Sequence, residues 1–184
     1  MKRSIRWIIK IVIWSILLSA VFTLASSQLL GNAGYVLAFV ALILFILIGI
    51  LFDIIGVAVT AADQTPFHSM ASHKERGAAE ALRLVRNAEK VSSFCNDVVG
   101  DISGIISGTT SAAVVARLTL DFSAPSLVLS LAVSSLVAGL TIGGKAVGKG
   151  FAMGKSTEIV LTVAQVIHIK NYFLNKFRAL FKRG

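Results

Sequence analysis

The sequence predicts an all-α integral membrane protein with about four transmembrane helices, a cytoplasmic amphipathic helical hairpin and a C-terminal interfacial helix. Three observations carry this. Hydrophobic residues make up 55% of the 184 and mean hydropathy is +0.82, which is not a soluble composition. Several apolar runs reach the about 20 residues needed to cross about 30 Å of hydrocarbon. The 18 Lys and Arg residues, against 9 acidic ones, gather in three clusters, Lys2 to Lys10, Lys74 to Lys90 and Lys145 to Arg183, with only Arg117 elsewhere. Four spans place all three clusters on one side, which the positive-inside rule makes the cytoplasm. The basic charge therefore reports topology, with attraction to anionic membrane lipid beside it, and not a nucleic-acid partner. A chain of this length has room for one domain.

The first span is Trp7 to Ser27, within a region 1–28 that also carries Lys2, Arg3, Arg6 and Lys10. The same region has an alternative reading as a signal peptide, because Ala25-Ser26-Ser27 offers a small-residue cleavage site before Gln28. Its apolar run is long and bulky for that purpose, and cleavage would leave the new N-terminus outside. An uncharged outer turn, "QLLGNA", leads to a core at 34–150, whose first span, Gly34 to Thr60, is interrupted only by Asp53. The polar stretch 64–92 follows. Pro66 suits a helix start and Gly77 separates two helical pieces. In the second piece Ala79, Leu82, Val85 and Ala88 recur at helical spacing, with Arg83, Arg86 and Lys90 turned away, as expected of a hairpin lying on the inner leaflet. Val98 to Leu120 is a third, more polar span, "LDFSAPS" around Asp121 and Pro125 a second outer turn, and Ala124 to Gly143 the fourth span. In the tail 156–184, Ile159, Val163, Val166, Phe173, Phe177 and Leu180 share one broad face, while Lys170, Lys176, Arg178, Lys182 and Arg183 supply the polar side. This pattern favours an interfacial helix over a fifth span.

Soluble chemistries find little support. "GKAVGKGFAMGKS" looks like a phosphate-binding loop, but that loop needs four residues between its first Gly and Gly-Lys-Ser. The position five before Gly154 is Lys149, and a long apolar run precedes it where a short strand should be. No nucleotide is expected. Cys95 is the single cysteine, which excludes an intrachain disulfide and leaves a buried inert thiol as the expectation. His68, His73 and His168 lack ligand spacing and read as interfacial polar residues. With no nucleophile, base and orienting group to set together, the chain does not read as an enzyme.

Polar residues inside the spans are more informative, because an ionisable group there is costly and faces a protein interior or a watery cavity. In the second span Gly49, Asp53, Gly56, Thr60 and Asp63 follow steps of four, three, four and three along one helical face. In the third, "NDVVGDISGIISGTTS" sets Gly100, Gly104 and Gly108 in one row, Ser103, Ser107 and Ser111 in a second, and Asp97 and Asp101 in a third. At about 100° per residue all eight lie within roughly 160°. Val98, Ile102, Ile105 and Ile106 occupy the remaining side, expected to face lipid. Small residues at four-residue spacing serve close helix packing on their own. Asp53 and Asp101 go further: carboxylates among hydroxyls and glycine-exposed carbonyls are what a hard cation such as magnesium prefers. Protonated carboxyls hydrogen-bonded between helices, with burial raising their pKa, are the alternative.

"GGKAVGKGFAMGKSTEIVL" resembles the end of the transmembrane domain in the CNNM and CorC family of magnesium transporters, where a Gly-Glu-x-x-Pro-Lys motif closes the last span. Gly144, Lys145, Gly148 and Lys149 stand at those four positions, so the Gly and Lys agree and the Glu and Pro do not. "FDIIGVAVTAAD" is similar to the family's Phe-Ser-Gly-Ser-Glu-x-Ala segment, with Phe52 and Ala58 matching, Asp53 at the first Ser and Gly56 at the Glu. "ALRLVRNAEKVSSF" resembles its cytoplasmic hairpin, with Ala88 in place of a Pro. With two residues inserted after the hairpin, "VGDISGI" resembles its Gly-Asn-Asn segment, Gly100 at the Gly and Asp101 at the first Asn. Together these cover about residues 34 to 175. The resemblance implies a homodimer that moves a divalent cation, magnesium, through a midplane site. Asp53 and Asp101 would be the anionic ligands there, Ser103 and Ser107 would add oxygens, and Gly56, Gly100 and Gly144 would open carbonyls. Family members coordinate magnesium with Ser and Asn side chains and carbonyls, and usually carry ATP-binding CBS domains. Both motif glutamates are missing here and no CBS pair follows within the 184 residues, which raises the second expectation of a non-transporting relative that partners a larger transporter.

Overall fold

The computed structural model describes residues 2–31, 34–122 and 125–181, and every regular element among them is helical. In chain order these are α1 (Lys2–Gly31), α2 (Tyr35–Ala61), α3 (Thr65–Ser72), α4 (Ala78–Arg86), α5 (Ala88–Ser93), a π-helical stretch (Phe94–Gly100), α6 (Asp101–Phe122), α7 (Ser126–Gly154) and α8 (Ser156–Phe181). Among the described residues four stretches are long and apolar enough to cross a membrane: Trp7–Leu24, Val36–Ala61, Ala88–Asp121 and Ser126–Gly154. Each contains or overlaps an expected span. The third starts ten residues early, because α5, the π stretch and α6 follow one another directly. Helix α7 continues past Gly143, so Gly144, Lys145, Gly148 and Lys149 all lie on it. Residues 32–33 and 123–124 of the two expected outer turns, and Lys182 and Arg183 of the tail, are outside the described residues, as are the side chains of Lys176, Phe177, Arg178 and Leu180.

The chain divides into two compact units, Met1–Asp53 with Ser93–Gly148, and Ile54–Ser92 with Lys149–Gly184. In the first, Ile11, Leu18 and Phe22 of α1 pack on a cluster of Ala41 and Phe45 from α2 with Val98, Ile102 and Ile106. The Phe22 and Phe45 rings meet edge to face at 6.1 Å. This corrects the expected orientation of the third span. Val98, Ile102 and Ile106 are buried because α1 covers them, and of the four apolar residues assigned to lipid only Ile105 is exposed.

In the second unit, Phe67 of α3 is fully enclosed by Ala58 and Val59, Ala81 and Val85, Ala152, and Val160 and Ala164. Pro66 stands in the first turn of α3, where its missing N–H costs nothing. Just before it, Asp63 Oδ1 accepts hydrogen bonds from the Thr65 backbone N–H at 3.1 Å and the Thr65 hydroxyl at 3.2 Å. The backbone bond first, then the side-chain bond, holds the Asp63 carboxyl below its ordinary pKa. Asp63 therefore belongs to a turn and not to the α2 stripe, and Thr60 is exposed, its hydroxyl donating to Val57 O at 2.8 Å. Of the five stripe residues, Gly49, Asp53 and Gly56 are buried.

Gly77 does separate two helices, and its φ of +84° is the left-handed region that glycine adopts without strain. A Cβ there would stand 3.0 Å from both Cγ and the backbone N of Gln165, so α8 lies directly on this turn. The faces that meet differ from those expected in detail. Helix α4 buries Ala78, Ala81 and Val85 and exposes Ala79, while α8 buries Val160 and Ala164 and leaves Val166 and Phe173 exposed. Small residues allow the close approach of α4 and α8, with Ile159 packed on the same core and Val166 and Phe173 left exposed. His168 joins the two helices, its Nδ1 lying 3.0 Å from Glu80 Oε1, and is no mere interfacial residue. That hydrogen bond, partly opposed by burial, holds the Glu80 carboxyl below the ordinary 4.5.

Gly77→Ala is expected to destabilise the protein by about 2 kcal/mol or more, through left-handed strain and the clash with Gln165. Lys74→Gly, at the non-glycine position with φ +56°, is expected to be neutral or mildly stabilising; thermal unfolding in detergent reads both. The contribution of Glu80 is complete above about pH 4.5 and lost as pH falls through its lowered folded pKa. Glu80→Gln is therefore expected to flatten the loss of unfolding temperature below about pH 4.5, compared with the parent chain.

Candidate functional site

Asp53 is the polar centre of the first unit. It stands near the C-terminal end of an apolar helix and is only 4% exposed. A carboxylate removed from water needs a nearby counter-charge or donors. Lys145 of α7 supplies the charge, with its Nζ 3.9 Å from Asp53 Oδ1. The Lys145 side chain is 25% exposed, so the apolar stem is covered while the pair keeps some access to the surroundings.

Glycines make room for this arrangement. A Cβ on Gly100 would stand 3.6 Å from Lys145 Nζ, which puts the ammonium beside bare backbone. Gly100 closes the π-helical stretch Phe94–Gly100, a departure from α geometry that is frequent at functional sites. Gly144, one residue before the lysine, lies against Ile50 so closely that a Cβ would overlap its terminal methyl. One turn before Asp53 on α2, a Cβ on Gly49 would stand 3.2 Å from Ser103 Cβ. Ser103, Ser107, Thr110 and Ser111 form the buried polar row of α6, and the Ser107 hydroxyl donates to Ser103 O at 2.8 Å.

The structure thus brings Asp53 of α2, Lys145 and Gly144 of α7 and Gly100 of the π stretch together, with Gly49 of α2 against Ser103 of α6. It gives Asp101 different neighbours. Asp101 is exposed, and with Asp97 it lines an open groove of about 770 Å³ between α1 and α6, opposite Ser15, Ser19 and Thr23. Asp97 Oδ2 accepts a hydrogen bond from the Ser93 hydroxyl at 2.7 Å. The expected single polar side of the third span is therefore two: serines inward, and the aspartates with Gly104 and Gly108 outward. The groove hydroxyls went unread in the sequence, although Ser15, Ser19 and Thr23 recur at steps of four. Gly56 and Lys149 belong to the second unit, where Gly56 is buried and Lys149 exposed, and Gly148, buried, ends the first. Cys95 is buried, as expected. Among the described residues no three His, Cys, Asp or Glu side chains converge as a metal-binding group. Comparison with protein-family models, curated proteins and solved structures finds no match for this chain.

Two helical glycines are expected to respond unequally. Gly49→Val is expected to force α2 from Ser103 and lower stability by about 2 kcal/mol. Gly104→Ala, where nothing stands within 4 Å of the added carbon, is expected to stay within about 1 kcal/mol of the parent. Unfolding temperatures in one detergent compare them.

Proposed function

We propose that this chain is embedded in a membrane through its four apolar helices and binds a divalent cation, magnesium foremost, at the polar centre of its first unit, carrying it across the bilayer. The observation that carries the reading is Asp53: a buried carboxylate inside a helix long and apolar enough to span a membrane is expensive and marks an ion pathway or a relay. Exposed Leu, Ile and Val side chains along α1, α2 and α7 support a hydrocarbon environment, since water would penalise so large an apolar surface. Buried Ser103 and Ser107, with the backbone bared at Gly100, supply neutral oxygens near the carboxylate's helix, the ligand type a small hard cation takes alongside retained water. The resemblance to the CNNM and CorC transmembrane domain supports the same cation, a homodimer, and cytoplasmic placement of the basic termini and hairpin. Asp101 enters this reading as an acid on the α1–α6 groove and not as a second ligand beside Asp53.

One observation favours a second reading. The Asp53 charge is met by Lys145, which stands where the family has a glutamate, and a site already neutral attracts a free cation weakly. In that case the chain is a non-transporting relative that binds a larger transporter in the membrane.

Magnesium flux into proteoliposomes separates the two. Flux that Asp53→Asn reduces at least about tenfold supports transport through this site. A folded, reconstituted protein without flux, co-purifying with a larger transporter, selects the interaction role.

A further inference from the structure

We propose that the Lys145 ammonium is a built-in counter-ion occupying the cation position beside Asp53, so that an external divalent cation reaches this carboxylate only by displacing it. The inference rests on the reading of Asp53 as a cation site and adds its regulation: occupancy is set by competition between a tethered monovalent cation and a free divalent one.

Three features carry it. The ammonium lies 3.9 Å from Asp53 Oδ1, within the range where opposite charges offset each other's desolvation. It also abuts Gly100, the position at which a Cβ would stand 3.6 Å from Nζ. The space that an ion between α2 and the π stretch would take is thus the space the ammonium holds. The lysine side chain is a quarter exposed while Asp53 is enclosed, so the ammonium can swing outward on its four-carbon stem when the carboxylate cannot move. A divalent cation arriving while the ammonium stays would meet net repulsion from it at close range. Displacement relieves that repulsion and leaves the carboxylate beside the bare backbone of Gly100, where a hard cation can be held by one carboxylate while it keeps its own waters.

The test compares magnesium-dependent shifts of unfolding temperature for purified parent protein, Lys145→Met, Lys145→Arg and the Asp53→Asn/Lys145→Met double variant. Lys145→Met is expected to bind magnesium at least roughly tenfold more tightly than the parent. Lys145→Arg, which keeps a cation, is expected to match the parent or bind more weakly, and the double variant to fold without responding. If Lys145→Met folds only when magnesium is present, the proposal is supported, because the free cation then replaces the tethered one. If Lys145→Met fails to fold even with magnesium, a free cation does not take the ammonium's place and the displacement proposal is overturned; if it folds and binds magnesium no more tightly than a responding parent, the proposal is likewise overturned while the cation site stands. A double variant that still responds places the binding elsewhere and overturns both. A response by Lys145→Met alone supports the counter-ion and removes the parent chain as a magnesium carrier. Silence from every form removes both ideas.

Discussion

A carboxylate inside an apolar helix is the constraint around which the first unit is arranged. Moving such a charge out of water costs several kcal/mol unless it is met locally, and α2 offers Asp53 only apolar neighbours along most of its length. The counter-charge comes from α7, a helix whose most apolar stretch is otherwise unburied. Docking α7 at Lys145 therefore does two things together: it neutralises Asp53, and it fixes a helix that has few other contacts in the unit. Beside the pair, Gly144 fits closely on Ile50 and Gly100 leaves bare backbone next to the ammonium.

The two units use small residues for different ends. In the second, Ala81, Ala164 and Gly77 let two amphipathic helices approach until backbone nearly touches backbone, and Phe67 fills the space between the layers. That packing is apolar and depends on a left-handed turn. In the first, Gly49, Gly100 and Gly144 leave room for a serine, an ammonium and an isoleucine, and so create a polar centre in otherwise apolar surroundings. The proposed function concerns this second use. A cation, tethered or free, is the partner that an enclosed carboxylate requires.

Much of this was legible in sequence, for reasons that differ by element. Apolar runs of about 20 residues announce helices long enough to cross a membrane without any tertiary knowledge, and Pro66 and Gly77 mark helix boundaries through backbone sterics alone. Of the row Gly49, Asp53, Gly56, Thr60 and Asp63 read on α2, the first three are buried and the last two exposed. What failed were statements about which neighbour covers a face. Val98, Ile102 and Ile106 look lipid-facing until α1 lies over them, and of the apolar face expected on α8 Ile159 packs on the core while Val166 and Phe173 stay exposed. Local periodicity reports that a helix has two sides, not what each side meets. The Asp53–Lys145 pair shows the same limit, because the partners are far apart in sequence and no spacing rule joins them; Lys145 was visible only as a mismatch to a motif.

The coupling energy between Asp53 and Lys145 comes from a double-mutant cycle of Asp53→Asn, Lys145→Met and their combination, read as unfolding free energies in the absence of divalent cations. A structural pair in low-dielectric surroundings predicts that each single change costs about 3 kcal/mol or more, and that the double variant recovers most of the loss, for a coupling above about 2 kcal/mol. Additive effects, with coupling within about 0.5 kcal/mol of zero, would contradict the claim that Lys145 is the counter-charge on which the buried carboxylate depends.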